Sequence, residues 1–363
     1  MKKIFSTKKY KKRNFRRAKK LLRRRLAGIE KRKAVRRSIS GYVGAKHKII
    51  PSVLHRGQVI KRLTIVAPKD FRLIENTQEC LTFYRDMRSA KYVSQIGNSK
   101  LVKISLEGVE NIDYGTISIL TAISDDLKCK DIILQGNFPK HEECRKFIEE
   151  SGFLNNMLNE HNKPFTKSTK SELIFFEKGS GVLSQNDNIK ISNLVKRVVN
   201  HLTEKEEHCL SVKTIILEIC GNSIEWSGTD NKQWLLGVKY ESHKVIFTVT
   251  DVGKGILKTL YRRYNKKIYD FFKNKTDCEI LSGAFEKKYG SATQKVNRNK
   301  GLPSIKANYD EGNILNLKVL TNNVILHFED SSQSKTFTKG SPWFKGTFYQ
   351  WEMTNNCINK ISI

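Results

Sequence analysis

The stretch "LEICGNSIEWSG", Leu217 to Gly228, places Glu218 and Asn222 four residues apart. On a helix they share one face, beside an apolar stripe of Leu217, Cys220 and Ile224. A carboxylate and an amide next to a core are costly unless something pairs with them. Either a ligand sits opposite, or the helix simply turns its polar residues to solvent. Further on, "DVGKGI" puts Asp251, Gly253 and Gly255 at the end of an alternating strand. The glycines let the backbone close on a ligand without side-chain interference. A carboxylate at a strand end can accept a hydrogen bond from an exocyclic amine.

The pattern around these residues supplies the scaffold. "ISNLVKRVVNHL" reads as a helix before the one carrying Glu218. "QWLLGVKYESHKVIFTVT" reads as two alternating strands joined by a turn at Glu241 to Lys244. Upstream, "RLTIVAP" is a strand, and Asn76 to Tyr92 is an amphipathic helix with an Asn cap. A strand over Leu101 to Val109, a helix over Asp113 to Leu127, the short strand "DIILQG" and a third helix ending near Gly152 follow. Strands alternating with helices imply a small α/β layer structure. The polar stretch Asn162 to Glu172 reads as a linker.

The chain has 363 residues, 38% of them hydrophobic, which is enough for two cores. Its formal charge of +31 is unevenly placed: Met1 to Ile50 holds 21 Lys and Arg against the single acid Glu30. Residues 1–50 thus form a basic arm, disordered or helical, that cannot fold by itself because its side chains repel. Nucleic acid or another polyanion is the expected partner, bound through counterion release. A solvated tail, anionic lipid and an organellar targeting peptide are the alternatives. The seven cysteines are scattered, odd in number and without a C-x-x-C pair, which argues against a zinc knuckle or a disulfide framework and for a reduced, cytoplasmic compartment. No apolar h-region follows the basic start, and no stretch is long enough to be a transmembrane segment.

"ISLEGVENIDYGTISILTAI" followed by "GNFPKHEECRKFIEESGF" resembles the STAS domain of anti-sigma-factor antagonists over residues 61–157. That family often carries a phosphorylated Ser after the "ID" turn. Here the equivalent position is Tyr114, within Asp113-Tyr114-Gly115-Thr116, and Thr116 is a poor substitute. The turn is therefore expected only to cap its helix, and the unit to serve as a binding platform.

The E-x-x-x-N helix and the D-x-G-x-G turn together resemble the GHKL ATP-binding fold of DNA gyrase, Hsp90, histidine kinases and anti-sigma-factor serine kinases, over residues 183–353. "NRNKGLPSIK", Asn297 to Lys306, is similar to the second glycine box, with Asn299 in place of its first glycine and Gly301-Leu302 retained. "LNLKVLTNNVILHF" resembles the strand pair before the final G-T-x-F strand, and "KGTFYQWEM" that strand. The resemblance implies that Asn222 holds Mg²⁺, Glu218 acts as the general base, Asp251 reads the adenine amine, and Gly253 and Gly255 shape the pocket floor. It further implies that Gly301 opens a helix N-terminus to the phosphates, with Lys300 or Arg298 adding charge, and that Thr347 sits near the adenine. Tyr264 to Lys300, with "GSAT" at Gly290 to Thr293, becomes the lid. His201 and His208 lack a phosphoacceptor context. Trp226, Trp343 and Trp351 read as packing residues, and Cys220 as a small buried hydrophobe.

The expected architecture is α/β: a basic arm, a small STAS-like α/β domain, then a GHKL (Bergerat) sandwich with helices on one face of a mixed sheet. The expected function is that of a bacterial ATP-binding regulator, an ATPase coupled to an interaction domain that takes a protein partner. A serine/threonine kinase of anti-sigma-factor type and a nucleic-acid-binding scaffold with a non-hydrolysing ATP site are the alternatives.

Overall fold

The computed structural model describes residues 47–55, 58–96, 99–165, 174–180, 183–226, 233–263, 275–286, 301–338 and 340–361. The arm up to residue 46 lies outside them. The first strand, β1 (His47–His55), begins inside the stretch assigned to the arm and pairs antiparallel with β2 (Gln58–Val66). Pro51 falls where the β1 register shifts, between Ile50 and Val53, a place where the missing N–H costs no ladder bond.

The first layered segment continues through β3 (Asp70–Phe71), α1 (Thr77–Met87), β4 (Ser94–Ile96), β5 (Ser99–Ser105), β6 (Asn111–Ile112), α2 (Tyr114–Lys128), β7 (Ile132–Gln135) and α3 (Glu142–Glu150). Strand β5 is the hub, parallel to β2 and β7 and antiparallel to β4. The expected cap of α2 forms: the Asp113 carboxylate accepts from the Thr116 N–H. The expected Asn76 cap of α1 does not. Its amide instead donates to the Asp70 carbonyl at 2.7 Å and to Glu79. Helix α1 also ends at Met87, short of the predicted Tyr92, and Ala90–Tyr92 is a separate 3₁₀ turn.

The second segment runs through β8 (Ile174–Ser180), α4 (Gln185–Thr203), α5 (Leu210–Trp226), β9 (Gln233–Glu241), β10 (Lys244–Asp251), α6 (Ile256–Arg263), α7 (Asp277–Phe285), α8 (Gly301–Asp310), β11 (Leu315–Asn322), β12 (Val324–His327), β13 (Lys335–Thr336), β14 (Phe344–Thr354) and α9 (Asn355–Ile361). Its seven strands lie in the order β13-β12-β11-β14-β10-β9-β8. Every described ladder in this sheet is antiparallel, which corrects the expectation of a mixed sheet. The tight hairpins β9–β10 and β11–β12 impose antiparallel pairing, and β14 then inserts between them in the same sense.

The sheet is also covered on both faces, not one. Along β10 the alternate residues Val245, Phe247 and Val249 join a core with Ile216 and Ile219 of α5 and with Tyr349, Trp351 and Met353 of β14. The opposite face contributes Leu235, Leu320 and Phe348 to the core of the first segment, where they meet Ile117, Leu120 and Leu73 among others. Helix α2 lies across β9 and β10. Two buried hydroxyl contacts tie it down, Ser118 to Thr250 at 2.8 Å and Thr248 to Ser118 at 3.0 Å. Each buried Phe or Leu on this face stabilises the contact by about 1.5–3 kcal/mol. Residues Ala45–Ile363 accordingly form one compact unit.

Candidate functional site

Strand β10 ends at Asp251 because the next residues leave the ladder for a turn that leads into α6. Asp251 is 2% exposed and lies in register with Thr347 of β14. By alternation its side chain takes the same face as Val249 and Phe247, the face covered by α5. The carboxylate accepts from the Gly253 N–H at 2.8 Å, and from the hydroxyl and backbone N–H of Thr347. These donors, and the nearby Arg88, do not offset its desolvation. Burial pushes the carboxyl from an ordinary 3.8 up to about 7. Its charged form therefore stays costly despite these donors.

The turn is clamped from β11, a feature the sequence reading missed. Thr321 Oγ1 accepts from the Ile256 N–H at 2.9 Å and donates to the Gly346 carbonyl at 3.0 Å. The Asn322 amide accepts from the Lys258 N–H at 3.0 Å and donates to the Lys254 carbonyl at 2.9 Å. The polar run "TNN" at the end of an otherwise apolar strand was the available signal. Gly255 has φ of +81°, and a Cβ there would stand 2.6 Å from the Asn322 side chain. Gly346, at φ of +148°, brings β14 so near that a Cβ would meet the Asp251 carbonyl at 2.0 Å. Each glycine is needed for conformation and for space.

Helix α5 packs on β9 and β10, and α8 packs against α5. The E-x-x-x-N helix, the Asp251 turn and the helix opened by Gly301 are therefore neighbours on one face. Glu218 is half-buried. Asn222 lies within α5, but its side chain is outside the described residues, as are Lys300, Arg298 and Asn299. Gly301 is the first residue of α8, and Leu302 packs, partly buried, against the α5-side core. Cys220 is fully buried, and burial pushes its thiol far up, so it is inert packing as expected.

The predicted lid divides. "GSAT" and most of Tyr264 to Lys300 lie outside the described residues, yet 277–285 form α7, whose Ile280, Leu281 and Phe285 are core residues. That part is scaffold, because its apolar face is committed to β12 and α8. Trp351 is core, stacked on Phe247 at 5.1 Å. Trp343 is not; it is half-buried, with the Lys258 ammonium 5.2 Å from its ring. His201 contacts the Glu241 carbonyl at 2.7 Å and the Tyr240 ring, a structural setting. All seven cysteines are free.

The first segment reaches this site through Arg88, which the sequence reading did not single out. Its guanidinium donates to the carbonyls of Val252 and Lys345, each at 2.6 Å, and faces Asp126 at 3.7 Å. Burial pulls it below its usual range. Tyr114, at the position where the STAS pattern would carry its acceptor, is 5% exposed, stacks on Phe176 at 5.5 Å and hydrogen-bonds Thr248. Its hydroxyl is sealed between the segments. Comparison with protein-family models, with curated proteins and with solved structures finds no match. Among the described residues no helix is long and apolar enough to cross a membrane, and no three His, Cys, Asp or Glu side chains group to hold a metal ion.

Proposed function

We propose that the face bounded by α5, the Asp251 turn and α8 binds Mg-ATP, and that the protein is a GHKL-type regulatory ATPase with a STAS-like segment built onto the back of its sheet. The observation that carries this reading is Asp251: a buried carboxylate at the end of β10, held by Gly253 and Thr347, whose charge stays costly because burial outweighs those donors. The exocyclic amine of adenine is a donor of the required kind. The rest of the face fits the same ligand. Gly301 heads a ten-residue helix whose free N–H groups suit phosphate oxygens. Asn222, on the helix that borders this face, would be the protein oxygen of a Mg²⁺ ion whose remaining ligands are phosphates and water.

Bound Mg-ATP would supply the triphosphate and the charge-neutralising ion. Within that complex Asp251 accepts the adenine amine, Thr347 keeps the Asp251 carboxylate oriented, and Gly253 and Gly255 keep the floor clear of side chains. Glu218 orients the attacking water and takes its proton, a role worth about 10²–10⁴-fold in rate. The basic arm holds a polyanion, and the first segment transmits nucleotide state through Arg88 to its own surface.

Incubation of the purified protein with γ-labelled ATP and Mg²⁺ tests this. Release of labelled phosphate is expected, with Glu218→Ala retaining ATP binding but losing turnover about 10²–10⁴-fold. Asn222→Ala should lose Mg²⁺-dependent binding. Transfer of label to a protein would make the activity a kinase instead. Binding without any ADP would make the site structural. Unchanged ATP affinity in both Asn222→Ala and Asp251→Ala would overturn the site.

A further inference from the structure

A cavity of about 310 Å³ opens beside the Asp251 turn. Tyr84, Arg85 and Arg88 line it from the first segment, and Trp343, Phe344 and Lys345 from the start of β14. Apart from Arg88, which also reaches the Asp251 turn, none of these residues was placed on the nucleotide face. The volume is at the lower end of the range for small-molecule sites, about 300–1,000 Å³. Each side of its wall carries both cations and aromatic rings.

The charge is not balanced. Arg85 is paired with Asp86 at 2.6 Å. Arg88 and Lys130 share one carboxylate, Asp126, at 3.7 and 2.6 Å. Lys258 lies over the Trp343 ring. Among the described residues five cations therefore gather around three carboxylates, Asp86, Asp126 and Asp251. Lys345 feels the excess: burial pulls its ammonium below the usual range, and Arg88, Lys258 and Lys130 push the same way. Positive charges held at close range on fixed elements are stabilised by an anion that several of them can touch.

We propose that this pocket is a binding site for a small phosphorylated anion, carried by Lys345, Arg85 and Arg88 with Trp343 as its apolar wall. The anion would sit on the same guanidinium that holds the Val252 carbonyl, one residue from Asp251. Drawing Arg88 charge toward the ligand removes support for the ionised Asp251, so the anion is expected to weaken ATP binding, and ATP to weaken the anion by the same factor. That coupling rests on the nucleotide reading above; the anion site does not.

The test uses the full chain, uniformly labelled with 5-fluorotryptophan, and inorganic pyrophosphate as the probe. There are four tryptophans, and Trp343→Phe assigns the Trp343 resonance. Because this readout is local, pyrophosphate held by the basic arm does not enter it. The expected result is a saturable shift of the Trp343 signal that chloride at equal ionic strength does not produce. Lys345 is exposed, so Lys345→Glu should keep the fold, seen as three unchanged tryptophan signals, while weakening pyrophosphate by about tenfold or more. A shift that never saturates, or the same affinity in Lys345→Glu, overturns the proposal. Asn222→Ala separates the two sites. It should leave the pyrophosphate shift intact even if it abolishes ATP binding, and loss of the shift would assign the cavity to the nucleotide site. A saturating shift in a protein that binds no ATP would leave this pocket standing and remove only the nucleotide reading.

Discussion

The stability of ligand-free Asp251→Asn relative to wild type should rise with pH. The carboxyl titrates near 7 in the folded chain against 3.8 for an ordinary aspartate, with burial as the main cause. The folded state therefore holds its proton more tightly than the unfolded state. The resulting stabilisation is complete below about pH 4 and is lost as pH rises toward and through 7. The full interval corresponds to about 4 kcal/mol at about 1.4 kcal/mol per pH decade, and roughly 2.5 kcal/mol of it falls between pH 5 and pH 8. Asparagine does not titrate. Its oxygen can still accept from Gly253, but its amide cannot accept from the Thr347 N–H, which costs about 1–3 kcal/mol at all pH values. The absolute gain is thus blunted, while the pH-dependent difference is not. The assay is urea unfolding of wild type and Asp251→Asn at pH 5 and pH 8, read as the change in their stability difference. Groups elsewhere cancel in that comparison. A difference that stays constant over this range, or that moves in favour of wild type at pH 8, would refute the claim that burial holds this carboxyl near neutrality. ATP affinity should move oppositely, rising with pH through 7 as the accepting form of Asp251 fills.

Gly255→Ala should destabilise the chain by about 1–3 kcal/mol, because the new methyl meets Asn322 and the backbone stays at positive φ; a thermal midpoint equal to wild type would show that the turn relaxes freely. Nucleic acid should bind through the arm with little sequence preference, and with about six to ten phosphates contacted its affinity should fall about 10³–10⁵-fold between 50 and 200 mM salt. Deleting residues 1–44 removes that binding while sparing β1, which a cut after Ile50 would split; equal binding by the shortened chain would place the polyanion site elsewhere.

Much of this protein was legible because period and punctuation are local properties. The β9–β10 hairpin follows from alternation and turn residues alone, while the β11–β12 pair and the strand bearing Thr347 came from the resemblance to the GHKL boxes. The Asp113 cap is also local, since donor and acceptor are three residues apart. Failures arose where a distant partner decides the outcome. Asn76 is a good cap residue by type, yet its amide is recruited by the Asp70 carbonyl. Residues 277–285 looked like lid in a linear reading, and only the apolar surface of β12 and α8 makes them core. Strands β1 and β8 lay outside the expected segment limits because edge strands are defined by the neighbour they pair with.

What the sequence determined by itself is the set of chemical groups and their local spacing: Glu218 and Asn222 one helical turn apart, Asp251 before two glycines, Gly301 at a helix start, and charge concentrated in the first fifty residues. What only the tertiary structure decided is their electrostatics and their neighbours. The neutral-range carboxyl of Asp251 exists because the folded chain buries it, with Thr347 of β14 and Arg88 of the first segment beside it. Arg88 and Lys345 share one cavity although 257 residues separate them. The back of the sheet is a contact face because Phe348 and Leu320 are apolar on the side that α2 covers. Desolvation and long-range charge depend on what fills space around a group, and no linear pattern carries that information.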